Sequence, residues 1–211
     1  HHYLCRQLKG GGMEIFMKKG LLIGASLLLL LSGCSKKPER LDSLIADTIQ
    51  VKNENLSLRL ADWYSSEEEV TRALDSEEIT VDEDTESATR RLSVDWQLED
   101  MADTGLSLTQ VCTIMADQLY RMEYYITTNS EAEYQNTCAS LAGQCREIFA
   151  SSGQLEESDY AALESGSEGL SWIGEDEASI SIQLFDTAGD PRYYIIITLE
   201  PPVIVEEIEL N

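Results

Sequence analysis

Residues 192–200 read RYYIIITLE, nine residues rich in β-branched and aromatic side chains, followed at once by Pro201 and Pro202. This is strand composition. Both alternating faces are apolar, so the strand is expected at the centre of a sheet or under a cover. The prolines end it, because proline has no amide hydrogen to give to a ladder. Upstream, RMEYYIT at 121–127 matches RYYIIIT at 192–198. Two more landmarks recur in the same order: SEEEV at 66–70 with SEAEY at 130–134, and WQLED at 96–100 with WIGED at 172–176. The offsets are 64, 76 and 71 residues. The recurrence predicts two tandem units, 56–128 and 129–200, each a helix followed by three strands. The expected fold class is therefore α+β, an antiparallel sheet with helices on one face, built as two tandem α-β-β-β repeats.

Local signals fill in the units. Ser66 followed by Glu69 forms a capping box ahead of Val70 and Leu74, and Ser130 with Glu133 forms a second one. The second opens a helix with the stripe Tyr134, Cys138, Leu141, Cys145, Ile148 and Phe149, ending near Gly153. RLSVDWQL at 91–98 alternates Leu92, Val94, Trp96 and Leu98 on one face, a strand period. Ile180, Ile182 and Leu184 alternate with Ser179, Ser181 and Gln183, and DTAGDP at 186–191 forms the turn into the final strand. Residues 107–118 admit two readings. Leu108, Val111, Cys112, Met115, Leu119 and Met122 fit a helical stripe, whereas Tyr120, Met122, Tyr124 and Ile126 alternate as a strand after the turn Ala116-Asp117-Gln118. The match to 192–198 favours a strand for 121–127. Residues 201–211 are expected as an edge strand or a tail.

The N-terminal region carries an address rather than a fold. From Met17 the sequence runs MKKGLLIGASLLLLLSGC: Lys18 and Lys19, then eleven mostly apolar residues Leu21 to Leu31, then Leu31-Ser32-Gly33-Cys34. A spanning helix needs about 20 apolar residues, so this run is too short to cross and stay. Residues 17–34 resemble the signal and lipobox of bacterial lipoproteins. That resemblance implies cleavage before Cys34, lipidation of Cys34, and a chain anchored to the bacterial cell membrane on its extracytoplasmic side. Residues 1–16 precede that start and read as an over-extended frame, with Met13 as a second possible start. Residues 34–55 are expected to be the lipidated cysteine and a polar tether in which Leu41, Leu44 and Ile45 hint at a short helix, with Lys36, Lys37 and Arg40 beside anionic headgroups at about 1 kcal/mol each.

Charge then excludes much chemistry. The chain has 211 residues, 39 acidic and 15 basic, for a net charge of −24. Removing Arg6, Lys9, Lys18, Lys19 and the single acid Glu14 ahead of Cys34 leaves 38 acids, 11 bases and a net of −27. Such a surface does not hold nucleic acid, which needs clustered Lys and Arg. Both histidines, His1 and His2, lie before Cys34, so no His-dependent nucleophile or His-ligated metal is expected. No phosphate-binding glycine loop occurs. Neither cofactor, metal ligand set nor catalytic residue is assigned. Among the cysteines, Cys138 and Cys145 stand about 10 Å apart on one helix, too far to bridge. Cys112 could pair with either, or all three could be small buried hydrophobes. Asp82-Glu83-Asp84-Thr85-Glu86 lacks the glycine of a calcium loop and reads as a solvated turn.

The helix-then-meander unit, with LSLRLADWYSSEEEVTRAL at 56–74, resembles the beta-lactamase-inhibitor-protein-like (SmpA/BLIP-like) family. Asp62-Trp63-Tyr64 stands where that family has a glycine-rich turn. The resemblance covers about residues 56–200 and carries over no active residue. It implies a module that binds proteins. The expected function is a non-catalytic, lipid-anchored binding protein presenting an acidic, aromatic sheet face. Trp96, Tyr125, Trp172 and Tyr193 are the candidate partner-binding residues on the face away from the helices. The alternative is an envelope enzyme acting on glycans through carboxylates such as Glu99, Asp100, Glu175 or Asp176.

Overall fold

The computed structural model describes residues 37–203. Met13, Met17, the lipobox, Cys34 and residues 204–211 lie outside them. The chain runs through a 3-10 turn Leu41–Ser43, α1 (Leu44–Thr48), β1 (Ile49–Lys52), β2 (Asn55–Leu58) and α2 (Glu67–Leu74). The strands β3 (Thr80–Asp84), β4 (Thr89–Trp96), β5 (Ser107–Met115) and β6 (Gln118–Thr128) follow. Then come α3 (Glu131–Phe149), α4 (Glu157–Glu164), β7 (Leu170–Ile173), β8 (Ser179–Asp186) and β9 (Tyr193–Glu200). The fold is α+β.

Seven strands form one sheet in the order β3-β4-β5-β6-β9-β8-β7, every pair antiparallel. Two three-stranded meanders, β4-β5-β6 and β7-β8-β9, thus meet where Met122–Thr128 pairs with Leu199–Tyr193. The long run at 192–200 sits next to the middle of the sheet, as its two-sided apolar pattern requires. Residues 107–115 are strand, with burial alternating along most of their length. A helix there would need the chain to continue through Ala116 and Asp117. Instead both have positive φ, 51° and 61°, and turn the chain straight into β6.

The helices lie on one side. Leu92 and Val94 of β4, Leu108, Cys112 and Ile114 of β5, Met122, Tyr124 and Ile126 of β6, and Ile195, Ile197 and Leu199 of β9 face the core. There they meet Val70 and Leu74 of α2, Cys138, Leu141 and Cys145 of α3, and Tyr160 and Leu163 of α4. Both predicted helix starts are formed. Ser66 Oγ accepts from Glu69 N–H while the Glu69 carboxylate accepts from Ser66 N–H, and Ser130 Oγ accepts from Glu133 N–H at 3.3 Å. Cys112, Cys138 and Cys145 are all buried free thiols.

The expected tether at 34–55 is corrected from residue 41 onward. Leu41, Leu44, Ile45 and Ile49 recur at helical spacing and are all buried in the core. Gln144 of α3 holds this segment. Its Oε1 accepts from Ile45 N–H at 2.8 Å, and its Nε2 donates to Leu41 C=O at 3.0 Å. Asp100 fixes the same turn by accepting from the N–H groups of Leu41 and Asp42 at 2.7 and 3.0 Å. Two bases expected beside the membrane are engaged within the domain, Lys37 with Asp75 and Arg40 with Asp42, each at 2.7 Å. At the other end, Pro201–Val203 leave the sheet without strand structure. Tyr64 Oη donates to Pro202 C=O, and Val203 N–H donates to Asp176 C=O.

Candidate functional site

Alternation along each strand sends every second residue away from the helices. On the far face stand Arg121, Glu123, Tyr125 and Thr127 of β6, Tyr194, Ile196, Thr198 and Glu200 of β9, and Gln183 and Phe185 of β8. None of the described residues covers this face, and its central members are half-buried by one another rather than by a second layer. Register places Tyr125 opposite Ile196, and Tyr194 opposite Phe185. With Ile196 and Tyr194 two residues apart on β9, the four form one contiguous aromatic and aliphatic patch. Val111 on β5 belongs to this side, being buried yet outside the main core cluster.

Polar groups frame the patch. Burial raises the Tyr125 hydroxyl above its ordinary pKa, the Glu123 carboxylate adds to that, and the Arg91 guanidinium opposes it. The hydroxyl therefore stays protonated at neutral pH, a donor set between a carboxylate and a cation. Arg121 pairs with Glu200 at 2.7 Å, and Thr109 Oγ1 donates to Asp95 at 2.5 Å. The arrangement can offer directed hydrogen bonds around an apolar centre, which is recognition chemistry.

Of the four residues expected on this face, only Tyr125 stands there. Trp172 is 1% exposed and stacks on Phe149 of α3 with ring centroids 5.0 Å apart. Tyr193 is 3% exposed and stacks on Tyr134 of the same helix at 4.7 Å. Trp96 is partly buried against the core, its Nε1 donating to the buried Gln110 at 2.8 Å. These three are in phase with the apolar set of their strands, so packing under the helices claims them. The sequence reading missed Tyr194, Ile196 and Phe185. The signal was available in β9, where Tyr194 is in phase with Thr198 and Glu200, and Tyr193 with Ile195, Ile197 and Leu199.

The carboxylates weighed for hydrolysis do not converge. Clefts of about 600, 350 and 140 Å³ open on the domain, and neither Glu99 nor Glu175 lines any of them. Asp100 lines the smallest, with both its oxygens taken by the Leu41 and Asp42 amides. In the acidic run, Asp84 caps its own turn through Glu86 N–H, Ser87 N–H and Ser87 Oγ. Among the described residues no group of three or more His, Cys, Asp or Glu could hold a metal ion, and no helix is long and apolar enough to cross a membrane. These features define an α+β protein with a one-sided helical layer and an open sheet face. No family model, no curated protein and no solved structure matches the chain.

Proposed function

We propose that this chain is a lipid-anchored extracytoplasmic binding protein, held to a bacterial membrane through Cys34, which captures a protein partner on the open face of its sheet without catalysing a reaction. The observation that carries the partner reading is the contiguous patch Tyr125, Ile196, Tyr194 and Phe185, framed by Arg91 and Glu123. Tyrosine and arginine at the centre of such a face contribute disproportionately to binding once water is excluded. The anchor is supported by the sequence LSGC at 31–34. We read the two halves as duplicated helix-meander units. Supporting this, RMEYYIT lies in β6 and RYYIIIT in the adjoining β9, with β3 and α4 as the additions that distinguish the halves.

The test is in-cell cross-linking and pull-down of the anchored protein. A Tyr125→Ala, Ile196→Asp double variant should lose the captured partner while its urea-unfolding free energy stays within about 1 kcal/mol of the parent. Undiminished capture would remove this face from the reading. Independently, Cys34→Ala should move the protein from the membrane fraction to the soluble one.

A further inference from the structure

A cleft of about 600 Å³ lies elsewhere, at the outer edge of the sheet. Strand β7 has four residues and β8 has eight, so β7 covers only Ser179–Ile182 of its neighbour. The short strand has a local cause. After α4 the chain is tied back to the helix end: Gly166 N–H donates to Leu163 C=O, and Ser167 and Glu168 N–H donate to Ala162 C=O. Gly166 takes φ +68° to make that turn. Only at Gly169 does the chain close on β8, so tightly that a Cβ there would strike the Ile182 carbonyl oxygen.

Beyond Ile182 the edge of β8 is therefore bare among the described residues. Gly174 N–H donates to Ala178 C=O at 2.8 Å, which sets the phase of the β7–β8 ladder. Even-numbered residues of β8 turn their amides and carbonyls toward β7, odd-numbered ones toward β9. Thr187 N–H donating to Arg192 C=O at 2.9 Å agrees with this phase. The N–H and C=O groups of Leu184 and Asp186 thus point into the gap. An exposed row of this kind is a template for another strand.

The gap is also a shaped cleft of about 600 Å³. Leu155 and Ala162 form its helix side, Leu184 and the 42%-exposed Phe185 its sheet side, and the acids Asp159 and Glu168 also line it. No basic residue lines it. A strand laid here would turn one alternate set of its side chains to the helix side, where Asp159 stands beside Leu155 and Ala162, and the other set to the open face beside Phe185.

We propose that this cleft is a strand-addition site for an extended segment of a partner protein that alternates apolar residues with lysine or arginine. The segment pairs with the main chain of Leu184–Asp186, in line with β7, and its cations face Asp159 and Glu168. Charge complementarity selects this occupant over the chain's own C-terminal residues 204–211, IVEEIELN, whose three glutamates would meet like charge. The site shares Gln183 and Phe185 with the open face but neither Tyr125 nor Ile196, so either can fail while the other stands.

The experiment titrates the full chain in detergent with a seven-residue peptide alternating valine and lysine. Two controls are its valine–glutamate twin and a twin N-methylated at alternate positions, which keeps the charge but removes strand hydrogen bonds. The lysine peptide should bind and shift the amide resonances of Leu184 and Asp186. Both twins, and the parent peptide on Glu168→Arg, should bind at least tenfold more weakly. The Tyr125→Ala, Ile196→Asp variant should bind it unchanged. The proposal is overturned if the lysine peptide does not bind, if the N-methylated twin binds as well as its parent, or if the shifts fall on Tyr125 and Ile196 instead.

Discussion

Gln144 carries more of this fold than a surface amide would. It is buried in α3 and satisfies the backbone of a segment a hundred residues upstream, through Ile45 N–H and Leu41 C=O. Replacing it with leucine leaves both groups buried without partners, at about 1–3 kcal/mol each. Gln144→Leu should therefore lower the urea-unfolding free energy by about 2–4 kcal/mol and speed proteolysis within residues 41–58. A loss below about 0.5 kcal/mol would mean that water replaces the amide. The cysteines give a pH signature. Burial pushes the Cys112 and Cys145 thiols up to about 12 and Cys138 up to about 11, from an ordinary value of 9.0. Below pH 9 the thiols are protonated in both states and stability is intact. Above it the unfolded chain ionises first, so stability falls as pH rises from about 9 toward about 12. Urea unfolding at stepped pH should show that decline, and alanine at all three positions should flatten it. An identical slope in the variant would assign the decline to buried tyrosines such as Tyr134, itself pushed up to about 12.

At the scale of elements, β7 depends on one tight approach to β8. Gly169→Ala drives a methyl into the Ile182 carbonyl, and main chain cannot swing aside as a side chain does. The substitution should cost about 2–3 kcal/mol and speed amide exchange at Leu170–Ile173 ahead of the other strands. Uniform exchange would show that β7 does not open separately. The elements themselves were largely legible in the sequence. Ser66 and Ser130 announce α2 and α3 because a cap is a local hydrogen bond between residues three apart. Alternation announces β4 and β8 because one sheet face is apolar, and a run of β-branched and aromatic residues announces β9. The face of the tryptophans was not legible from aromatic character, since Trp and Tyr serve core and interface equally well. Phase was the better guide: Trp96 is in phase with Leu92 and Val94, so it turns inward. Expecting a tether at 41–55 failed for another reason. Its buried residues are held by Gln144 and Asp100, partners 99 and 59 positions away that no local period reveals. The bare edge at Leu184 was likewise unreadable, because it depends on where β7 begins relative to a different strand.

Across the whole molecule, charge is the dominant unbalanced term. Between residues 37 and 203 lie 10 basic and 35 acidic residues, a net of −25. Seven of those ten bases (Lys37, Arg40, Arg72, Arg90, Arg121, Arg146 and Arg192) already form ion pairs. The pairs are largely exposed, and exposed pairs are worth about 0–1 kcal/mol each. Salt weakens them, but it also screens the repulsion among the carboxylates left over. Acids outnumber bases by more than three to one, so the second effect should win. Raising sodium chloride from about 10 mM, where charges interact over about 30 Å, to about 200 mM should raise the melting temperature by roughly 3–6 °C. Tetramethylammonium chloride at the same ionic strength should do the same, because screening does not depend on which cation is present. A melting temperature that falls with salt would mean that the ion pairs outweigh the net charge. A rise confined to sodium would point to specific cation binding instead of screening. The same excess makes the domain attractive to cationic segments generally, so the proposed partners would have to be selected by what charge alone cannot provide: the bare main chain beside Leu184 and the apolar patch around Ile196.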